Sequence, residues 1–284
     1  MKPTSSDARS RALLSEDTDP AVERLLIALW RDMTPSAKLR RVASASSAVV
    51  ALARAGARAR DPQTPGLFNA FAVSKLGPRL AADAYGARLV SDSEPEVLMD
   101  HLAIVALVVR ALDSCGLRYV IGGSLASSVS GEPRATLDAD LMIDLDEASI
   151  ACVVRGLGSD FYADAEAFRR AVRQRSSVNV VHLASATKID LFVMGATSIE
   201  AQQMDRRQLI SIGSPPVDLY VYTAEDILLQ KLRWFRLGGE VSERQWRDVV
   251  GIVAVQGERL DREYLRSCAA AIGVLDLLER VVRS

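Results

Sequence analysis

The sequence predicts an α/β fold, in which a small mixed β-sheet core is flanked by helical regions at both ends. Residues 20–86 carry apolar residues at helical spacing and contain no run typical of a strand. The middle of the chain alternates short apolar strands with helices, and helical periodicity returns from Thr223 to the end. We therefore expect three parts: a helical N-terminal region over 1–90, an α/β core over 91–222 and a helical C-terminal region over 223–284.

Composition limits the class of protein. The 284 residues are 49% apolar and 25% charged, the balance of an ordinary globular protein. A formal net charge of -1 excludes nucleic-acid binding by bulk charge alone but leaves room for a local basic face. No apolar run reaches the roughly 18 residues of a membrane helix, and the start of the chain lacks the apolar core of a signal peptide. We expect a cytoplasmic protein that does not contact membranes.

The cysteines and histidines predict no transition-metal site. Cys115, Cys152 and Cys268 are scattered without the spacing of metal ligands, which indicates buried thiols and no disulfide. Two histidines are too few for a histidine-rich metal site, and His182 lies in an apolar strand where a core or edge role is expected.

The N-terminal region begins with polar, charged residues 1–19, which predict a disordered lead-in. Asp19 and Thr34 are each followed by proline, the pattern of an N-cap before the first helical position. A third helix ends at Gly77. The arginines of this region fall mostly on polar stripes, which indicates solvated faces, with an RNA- or partner-binding face as the alternative.

The predicted core elements follow one another closely. A helix over about 94–114 precedes Gly116, which suits a left-handed C-cap. After it we predict, in order, strand RYVIGG, helix SLASSVSG, strand LDADLMIDL, helices over about 146–175, the hairpin-like strands VNVVHLA and KIDLFVM, a helix near 197–205, and the strands QLISI and DLYVY. The terminal helices break at Gly238-Gly239 and near Gly257.

Two aspartates stand in an otherwise apolar strand. In LDADLMIDL, Asp138 and Asp140 occupy alternate positions, so their side chains share one face, roughly 6 to 7 Å apart along the strand. Carboxylates this close raise each other's pKa unless a cation lies between them. Mg²⁺ takes oxygen ligands, usually one or two carboxylates plus substrate phosphates. The pair predicts a site for Mg²⁺, or for Mn²⁺ in its place; surface carboxylates at a strand end are the alternative.

Two further segments fit phosphate chemistry. Gly122-Gly123-Ser124 ends a strand and opens a helix, where backbone amides and the helix N-terminus favour a phosphate, although most such segments are ordinary turns. Asp190 lies in another apolar strand, two residues after Lys188. A third carboxylate suits two-metal phosphoryl transfer, both as a ligand and as the base for an attacking hydroxyl, and a lysine neutralises phosphate charge.

Together these motifs resemble the nucleotidyltransferase superfamily with a DNA polymerase β-like palm, and within it the AbiEii-type enzymes of abortive-infection toxin–antitoxin systems. The resemblance covers about 115–255. After the motifs above, that family's pattern continues with an acidic residue before a lysine and with arginine-rich text that ends in aspartate. The matching residues are Asp226, Lys231, Arg244, Arg247 and Asp248.

The resemblance implies Mg²⁺-dependent transfer of a nucleoside monophosphate from an NTP to an acceptor hydroxyl, with release of pyrophosphate. Related toxins modify tRNA, so an RNA acceptor and an antitoxin-like partner are expected. The catalytic and metal-binding residues would be Asp138, Asp140 and Asp190. The nucleotide contacts would be Gly123, Ser124, Lys188, Lys231, Arg134, Arg244 and Asp248.

Simpler interpretations exist for several of these residues. Lys231 fits a surface lysine, Arg134 a solvated loop arginine, and Arg244 or Arg247 with Asp248 a structural ion pair. Trp234 and Trp246 are expected to be helix-packing residues, with base-stacking platforms as the alternative.

Two other functions fit the same fold. One is nucleotidyl transfer to a small molecule such as an aminoglycoside, which needs an acidic cleft, whereas the helical ends are rich in arginine. The other is a catalytically inactive binding or antitoxin module, against which the three aspartates count. The N-terminal helices are compatible with an inhibitory module or with a substrate-docking surface.

Overall fold

The computed structural model describes residue 14 and residues 18–60, 67–86, 101–212 and 216–283. Within these ranges a seven-stranded mixed sheet is flanked by helices from both ends of the chain, which confirms the predicted α/β class. None of the described helices is both long and apolar enough to cross a membrane. The predicted division into three domains stays a prediction.

Four helices form the described part of the N-terminal region: α1 (Pro20–Asp32), α2 (Pro35–Arg60), α3 (Leu67–Leu76) and α4 (Pro78–Tyr85). Asp19 Oδ1 accepts a hydrogen bond from the Ala21 amide at 2.7 Å, and Thr34 Oγ1 accepts one from the Ala37 amide at 3.2 Å. Both predicted N-caps are therefore confirmed. Most of the predicted lead-in lies outside the described residues.

The N-terminal helices are attached to the core by polar contacts as well as by packing. Arg31 of α1 donates to the carbonyl of Val255 at 3.1 Å. Lys38 of α2 donates to the carbonyl of Gly131 at 3.2 Å, and the Tyr85 hydroxyl donates to the carbonyl of Leu183 at 2.9 Å.

The core elements follow the predicted order with one addition. The first are α5 (His101–Ser114), β1 (Tyr119–Ile121), α6 (Gly123–Ser130), β2 (Asp138–Ile143) and α7 (Ile150–Leu157). They are followed by β3 (Phe161–Tyr162), α8 (Ala165–Gln174), β4 (Ser177–His182), β5 (Thr187–Val193), α9 (Ser198–Asp205), β6 (Gln208–Ile212) and β7 (Val217–Val221). The two-residue strand β3 was not predicted. It pairs antiparallel with the end of β4, a partner that lies about 20 residues later in the chain.

The sheet order is β3-β4-β5-β2-β1-β7-β6. Strands β2 and β5 are parallel neighbours, whereas β1 and β4 pair antiparallel with their outer edges. The register of β2 and β5 places three pairs side by side: Asp138 with Lys188, Asp140 with Asp190, and Met142 with Phe192. Because adjacent partners share a face of the sheet, the three predicted aspartates lie on one face.

The opposite face of the same two strands is the packed interior. Ala139, Leu141 and Ile143 of β2 and Ile189 and Leu191 of β5 are fully buried. The alternation of polar and apolar residues thus separates the face of the aspartates from the core.

The C-terminal region consists of α10 (Ala224–Leu237), α11 (Glu243–Gln256), α12 (Arg262–Ala271) and α13 (Leu275–Arg283). Its breaks at Gly238-Gly239 and Gly257 are confirmed. Helices α10 and α11 pack against each other and against α6. This packing brings their side chains over the start of α6, beside the aspartates of β2.

The prediction that the chain has no disulfide is wrong. Cys115, just after α5, and Cys152 of α7 form a disulfide with their Cα atoms 5.9 Å apart. The two helices pack together, and this contact between residues 37 positions apart is not visible in the sequence spacing. Cys268 is free and buried, as expected.

Candidate active site

A cavity of about 620 Å³ opens on the face of the sheet that carries the aspartates. Its floor includes Asp138 and Asp140, its inner end is the turn from Gly122 to Ser124, and its walls come from α10 and α11. Of the predicted site residues, it brings together Gly123, Ser124, Arg134, Asp138, Asp140, Lys231, Arg244 and Asp248. Lys188 and Asp190 do not line it.

The two floor carboxylates repel each other, as the sequence predicted. Burial, followed by the negative charges of Asp138 and Asp190, raises the pKa of Asp140 to about 6, against the opposing effect of Lys231 and Lys188. Thr136 Oγ1 donates to Asp138 Oδ1 at 3.0 Å and fixes the direction of that carboxylate. A cation between the pair would relieve the repulsion.

Asp190 lies beside Asp140 in the sheet, but its carboxylate is already engaged. Asn179 Nδ2 and Lys188 Nζ both donate to it. In the part of the chain that the structure describes, no three acidic, histidine or cysteine side chains are grouped so that they could hold a metal ion. The roles of Asp190 as third ligand and base, and of Lys188 as a triphosphate contact, therefore stay predictions.

The turn into α6 requires glycine. Gly123 has a φ of +52°, and a Cβ at this position would lie 1.7 Å from Asp140 Oδ2 and 2.8 Å from Asp140 Cβ. Only a residue without a side chain lets the helix start approach the carboxylate this closely. The first backbone amides of α6 thus lie next to Asp140. A phosphate bound by these amides would lie close to the carboxylate pair.

A buried ion cluster forms the wall next to this turn. Asp248 accepts from Arg134 Nε at 2.8 Å and Nη2 at 2.7 Å, and Lys231 Nζ lies 2.7 Å from Asp248 Oδ2. The side chains of Asp248 and Lys231 are each 6% exposed, and that of Arg134 is 19% exposed. Burial opposes ionisation of Asp248, but the hydrogen bonds and charges of Arg134 and Lys231 outweigh it and hold its pKa below the ordinary value.

This cluster settles several alternatives. Lys231 reaches inward and is no surface lysine, and Arg134 is no solvated loop arginine. The structural ion pair of Asp248 exists, but its arginine is Arg134, whereas Arg247 forms a bidentate pair with Glu132. Arg134 also donates from Nη2 to Ser124 Oγ at 2.9 Å, so the cluster is joined to the start of α6.

The outer part of the cavity contains several residues that are not among the predicted site residues. Phe192 of β5 and Trp234 of α10 form one wall, with ring centroids 6.0 Å apart. Trp234 is 49% exposed and lines the cavity, so the stacking alternative stays open for it. Trp246 packs as expected, with its ring centroid 5.2 Å from that of Phe235. Arg175 and Arg233 line the same part, as does the predicted Arg244.

Strand alternation could have identified Phe192, because it follows Asp190 by two residues and shares its face. Nothing in the sequence points to Arg175, which reaches the cavity through the packing of α8 beside β4. Asp226, by contrast, does not line this cavity. It is fully buried and accepts from Thr223 Oγ1 at 2.8 Å and from the Tyr264 hydroxyl at 2.6 Å, a structural role at the start of α10.

His182 is a core residue, as predicted. It is buried, and its Nδ1 shares a hydrogen bond of 2.8 Å with Ser185 Oγ.

Comparison with known proteins gives distant similarity in structure alone. No family model and no curated protein matches the sequence. The chain is similar to the antibiotic-resistance factor ANT(2'')-Ia, at 16% identity over 63% of this chain and 95% of that one, with a TM-score of 0.40. It is also similar to an antigenic nucleotidyltransferase-like protein from Paracoccidioides brasiliensis, at 20% identity over 63% of this chain and 91% of that one, with a TM-score of 0.34. At these scores neither neighbour bears on the activity of this chain.

Proposed function

We propose that this chain is a Mg²⁺-dependent nucleotidyltransferase, which moves a nucleoside monophosphate from an NTP to an acceptor hydroxyl and releases pyrophosphate. One observation carries the proposal: a single cavity holds a pair of carboxylates, a helix that begins at a glycine, a buried lysine and a partly buried arginine. The proposal extends to the polymerase β-like superfamily, to an AbiEii-type toxin–antitoxin setting in the cytoplasm, and to an RNA acceptor such as tRNA.

The carboxylate pair fits Mg²⁺ by its donor chemistry. Asp138 and Asp140 supply hard oxygen ligands, and Mg²⁺ typically takes one or two carboxylates and completes its shell with substrate phosphates and water. The raised pKa of Asp140 reflects a buried negative site that a divalent cation would neutralise. Mn²⁺ suits the same oxygen donors. The metal, when bound, would offset the negative charge of the phosphates.

The remaining residues would position the NTP. The amides at the start of α6 and the cations Arg134 and Lys231 lie where a triphosphate would meet them. Asp248 holds these two cations in place and contacts the nucleotide only through them. Phosphoryl transfer depends mainly on such positioning and charge neutralisation. Asp190 would accept the proton of the acceptor hydroxyl. This requires that the Lys188 ammonium first leaves the Asp190 carboxylate and binds a phosphate oxygen of the NTP.

A label-transfer assay tests this function. The full chain is incubated with each α-labelled NTP, Mg²⁺ and bulk tRNA, and the label in the RNA is counted. We expect transfer by the wild type and background signal for Asp138→Ala and Asp140→Ala. Glu147→Ala is a matched control, because Glu147 is exposed and lies outside the cavity. Equal transfer by the wild type and both aspartate variants would refute the proposal.

The charges of the outer cavity argue against a cationic small-molecule acceptor. Arg175, Arg233 and Arg244 line it, against a single acidic residue there, Glu200, which lies 3.5 Å from Arg233. An aminoglycoside would meet like charges at this entrance. Expression of the chain should therefore leave aminoglycoside sensitivity unchanged.

One observation favours an inactive nucleotide-binding module as the second candidate. Asp190 is engaged by Lys188 and Asn179, so the base of the proposed reaction is blocked in this arrangement. Calorimetry with a non-hydrolysable NTP separates the two functions. Mg²⁺-dependent binding with label transfer supports the enzyme, whereas binding without Mg²⁺ dependence and without transfer selects the module.

A further inference from the structure

The cavity continues beyond the aspartates along β2 and β5. Met142 and Phe192 follow Asp140 and Asp190 on the same face, one side-chain step or roughly 6 to 7 Å further along the strands. Trp234 stands against Phe192 and leaves about half of its surface open. We call the pair Phe192 and Trp234 the aromatic wall.

The order of the strands assigns this wall to one side of the reaction. The proposed triphosphate contacts, Gly123 and Ser124, follow β1, which lies on one side of β2. The aromatic wall begins on β5, which lies on the other side. In phosphoryl transfer the attacking and leaving oxygens are roughly in line across the phosphorus. Pyrophosphate that leaves over β1 and α6 therefore requires an acceptor that arrives over β5.

Three arginines line the same cavity as the aromatic wall. Arg175 follows the end of α8, and its side-chain Nη1 donates to the carbonyl of Met194 at 3.0 Å, which holds the exposed guanidinium just beyond the end of β5. Arg233 precedes Trp234 on α10 and lies 3.5 Å from Glu200, and Arg244 lies in the first turn of α11. Exposed aromatic rings beside a basic groove are the usual means of binding single-stranded nucleic acid, in which a base stacks and the backbone phosphates meet cations.

We propose that the aromatic wall and its arginines form the acceptor site, and that this site takes the free end of a single-stranded polynucleotide. The terminal base stacks on Trp234, and the preceding phosphates lie against Arg175, Arg233 and Arg244. The identity of the reaction rests on the proposed function, whereas the binding of the polynucleotide does not.

In the reaction, the terminal hydroxyl oxygen of the polynucleotide bonds to the α-phosphorus of the NTP. The bond from that phosphorus to the oxygen bridging the α- and β-phosphates breaks, and its electron pair leaves with pyrophosphate. The hydroxyl proton passes to the carboxylate of Asp190.

Fluorescence anisotropy tests the binding without any need for turnover. The probe is a fluorescein-labelled single-stranded RNA of about ten nucleotides with a free 3′ end, in parallel with DNA of the same sequence. We expect Trp234→Ala to raise the Kd about 10-fold or more, as loss of one stacked base does, and Trp234→Phe to retain most of the affinity. Leu209→Ala is the matched control, because Leu209 is exposed to a similar degree on β6, outside the cavity.

The arginines are tested in the same assay. Arg175→Ala should weaken binding and reduce the dependence of the Kd on salt, because one phosphate contact is lost. Arg173→Ala is its control, since Arg173 is exposed on the same helix but does not line the cavity. Preference for RNA or for DNA identifies the source of the acceptor, and either preference supports the proposal.

Other results overturn it. An unchanged Kd in both Trp234→Ala and Arg175→Ala means that the wall does not hold the polynucleotide. Loss of affinity for a non-hydrolysable NTP, with the oligonucleotide Kd unchanged, would assign the wall to the nucleotide base instead. If the oligonucleotide Kd responds as expected but no label is transferred to any acceptor, the proposed function fails while this binding site stands.

Discussion

The buried ion cluster allows a sharp test of how this cavity is built. Asn has nearly the shape of Asp, so Asp248→Asn removes one negative charge and leaves no space behind. Lys231 then stays buried, and Arg134 partly buried, as positive charges without their partner, at sites where the carboxylate lies within 2.8 Å of both. Breaking a buried pair in this way typically costs about 3 to 5 kcal/mol, because an uncompensated charge is left out of water.

Urea unfolding at neutral pH measures this cost. We expect the free energy of unfolding of Asp248→Asn to fall by about 3 to 5 kcal/mol, a large part of the roughly 5 to 15 kcal/mol of a typical domain. Asp276→Asn is the control. Its partner Arg236 lies 2.6 Å away, but the Asp276 and Arg236 side chains are 69% and 38% exposed, so the loss should be much smaller than for Asp248→Asn. The double variant Lys231→Met/Asp248→Asn should lose less than the sum of the single variants.

The effect should also depend on pH in a defined direction. The folded pKa of Asp248 lies below its ordinary value of 3.8, so its contribution to stability is present above that value and is lost as the pH falls through the folded pKa. The difference between the wild type and Asp248→Asn should therefore shrink in acid below about pH 4. If Asp248→Asn lowers the free energy of unfolding no more than Asp276→Asn does at neutral pH, the ion cluster does not stabilise the cavity wall.

Three further predictions concern the glycine turn, a buried lysine and the disulfide. Gly123→Ala should destabilise the chain by about 1 to 3 kcal/mol in thermal melts, because φ is +52° and the added Cβ would overlap the side chain of Asp140 on β2. Gly56→Ala is the control: a Cβ at this helix position would meet no neighbouring atom, so the variant should be neutral or stabilising. Burial lowers the pKa of Lys38 to about 8, so between pH 8 and the ordinary value of 10.5 the unfolded chain binds more protons than the folded chain. The free energy of unfolding of the wild type, relative to that of Lys38→Met, should therefore rise by roughly 3 kcal/mol over this pH range. A difference between the two proteins that does not change with pH would contradict this prediction. Reduction of the Cys115–Cys152 bond should lower the free energy of unfolding by about 2 to 4 kcal/mol. A thiol assay on the denatured chain should count one thiol before reduction and three after it. Three thiols before reduction would show that the bond is absent.

The sequence was sufficient for most of the fold because its elements carry local signals. Proline after Asp19 or Thr34 marks a helix start, and the glycine pairs mark helix ends. Contacts between distant elements have no such signal. The edge strand β3 exists because β4 pairs with it, and the disulfide exists because α7 packs on α5.

The candidate site divides in the same way. The alternation of β2 was enough to place Asp138 and Asp140 on one face. Asp248 pairs with Arg134 and not with its helix neighbour Arg244. This pairing joins residues 114 positions apart, so no local pattern in the sequence predicts it. The exposure of Trp234 depends on which side of α10 the sheet leaves open, and helical periodicity alone does not determine this.

The pairing of β5 with β2 sets a limit on how this sequence can change in length. One residue inserted or deleted within β5 would exchange the faces of Ile189 and Asp190, which turns a carboxylate into the apolar interior and an isoleucine toward the metal-binding candidates. The connection 183–186 between β4 and β5 is held in place as well, because Ala186 is fully buried and the carbonyl of Leu183 accepts from the Tyr85 hydroxyl. In a set of homologous chains, the residue count of β5 should therefore stay constant even where its apolar residues are exchanged.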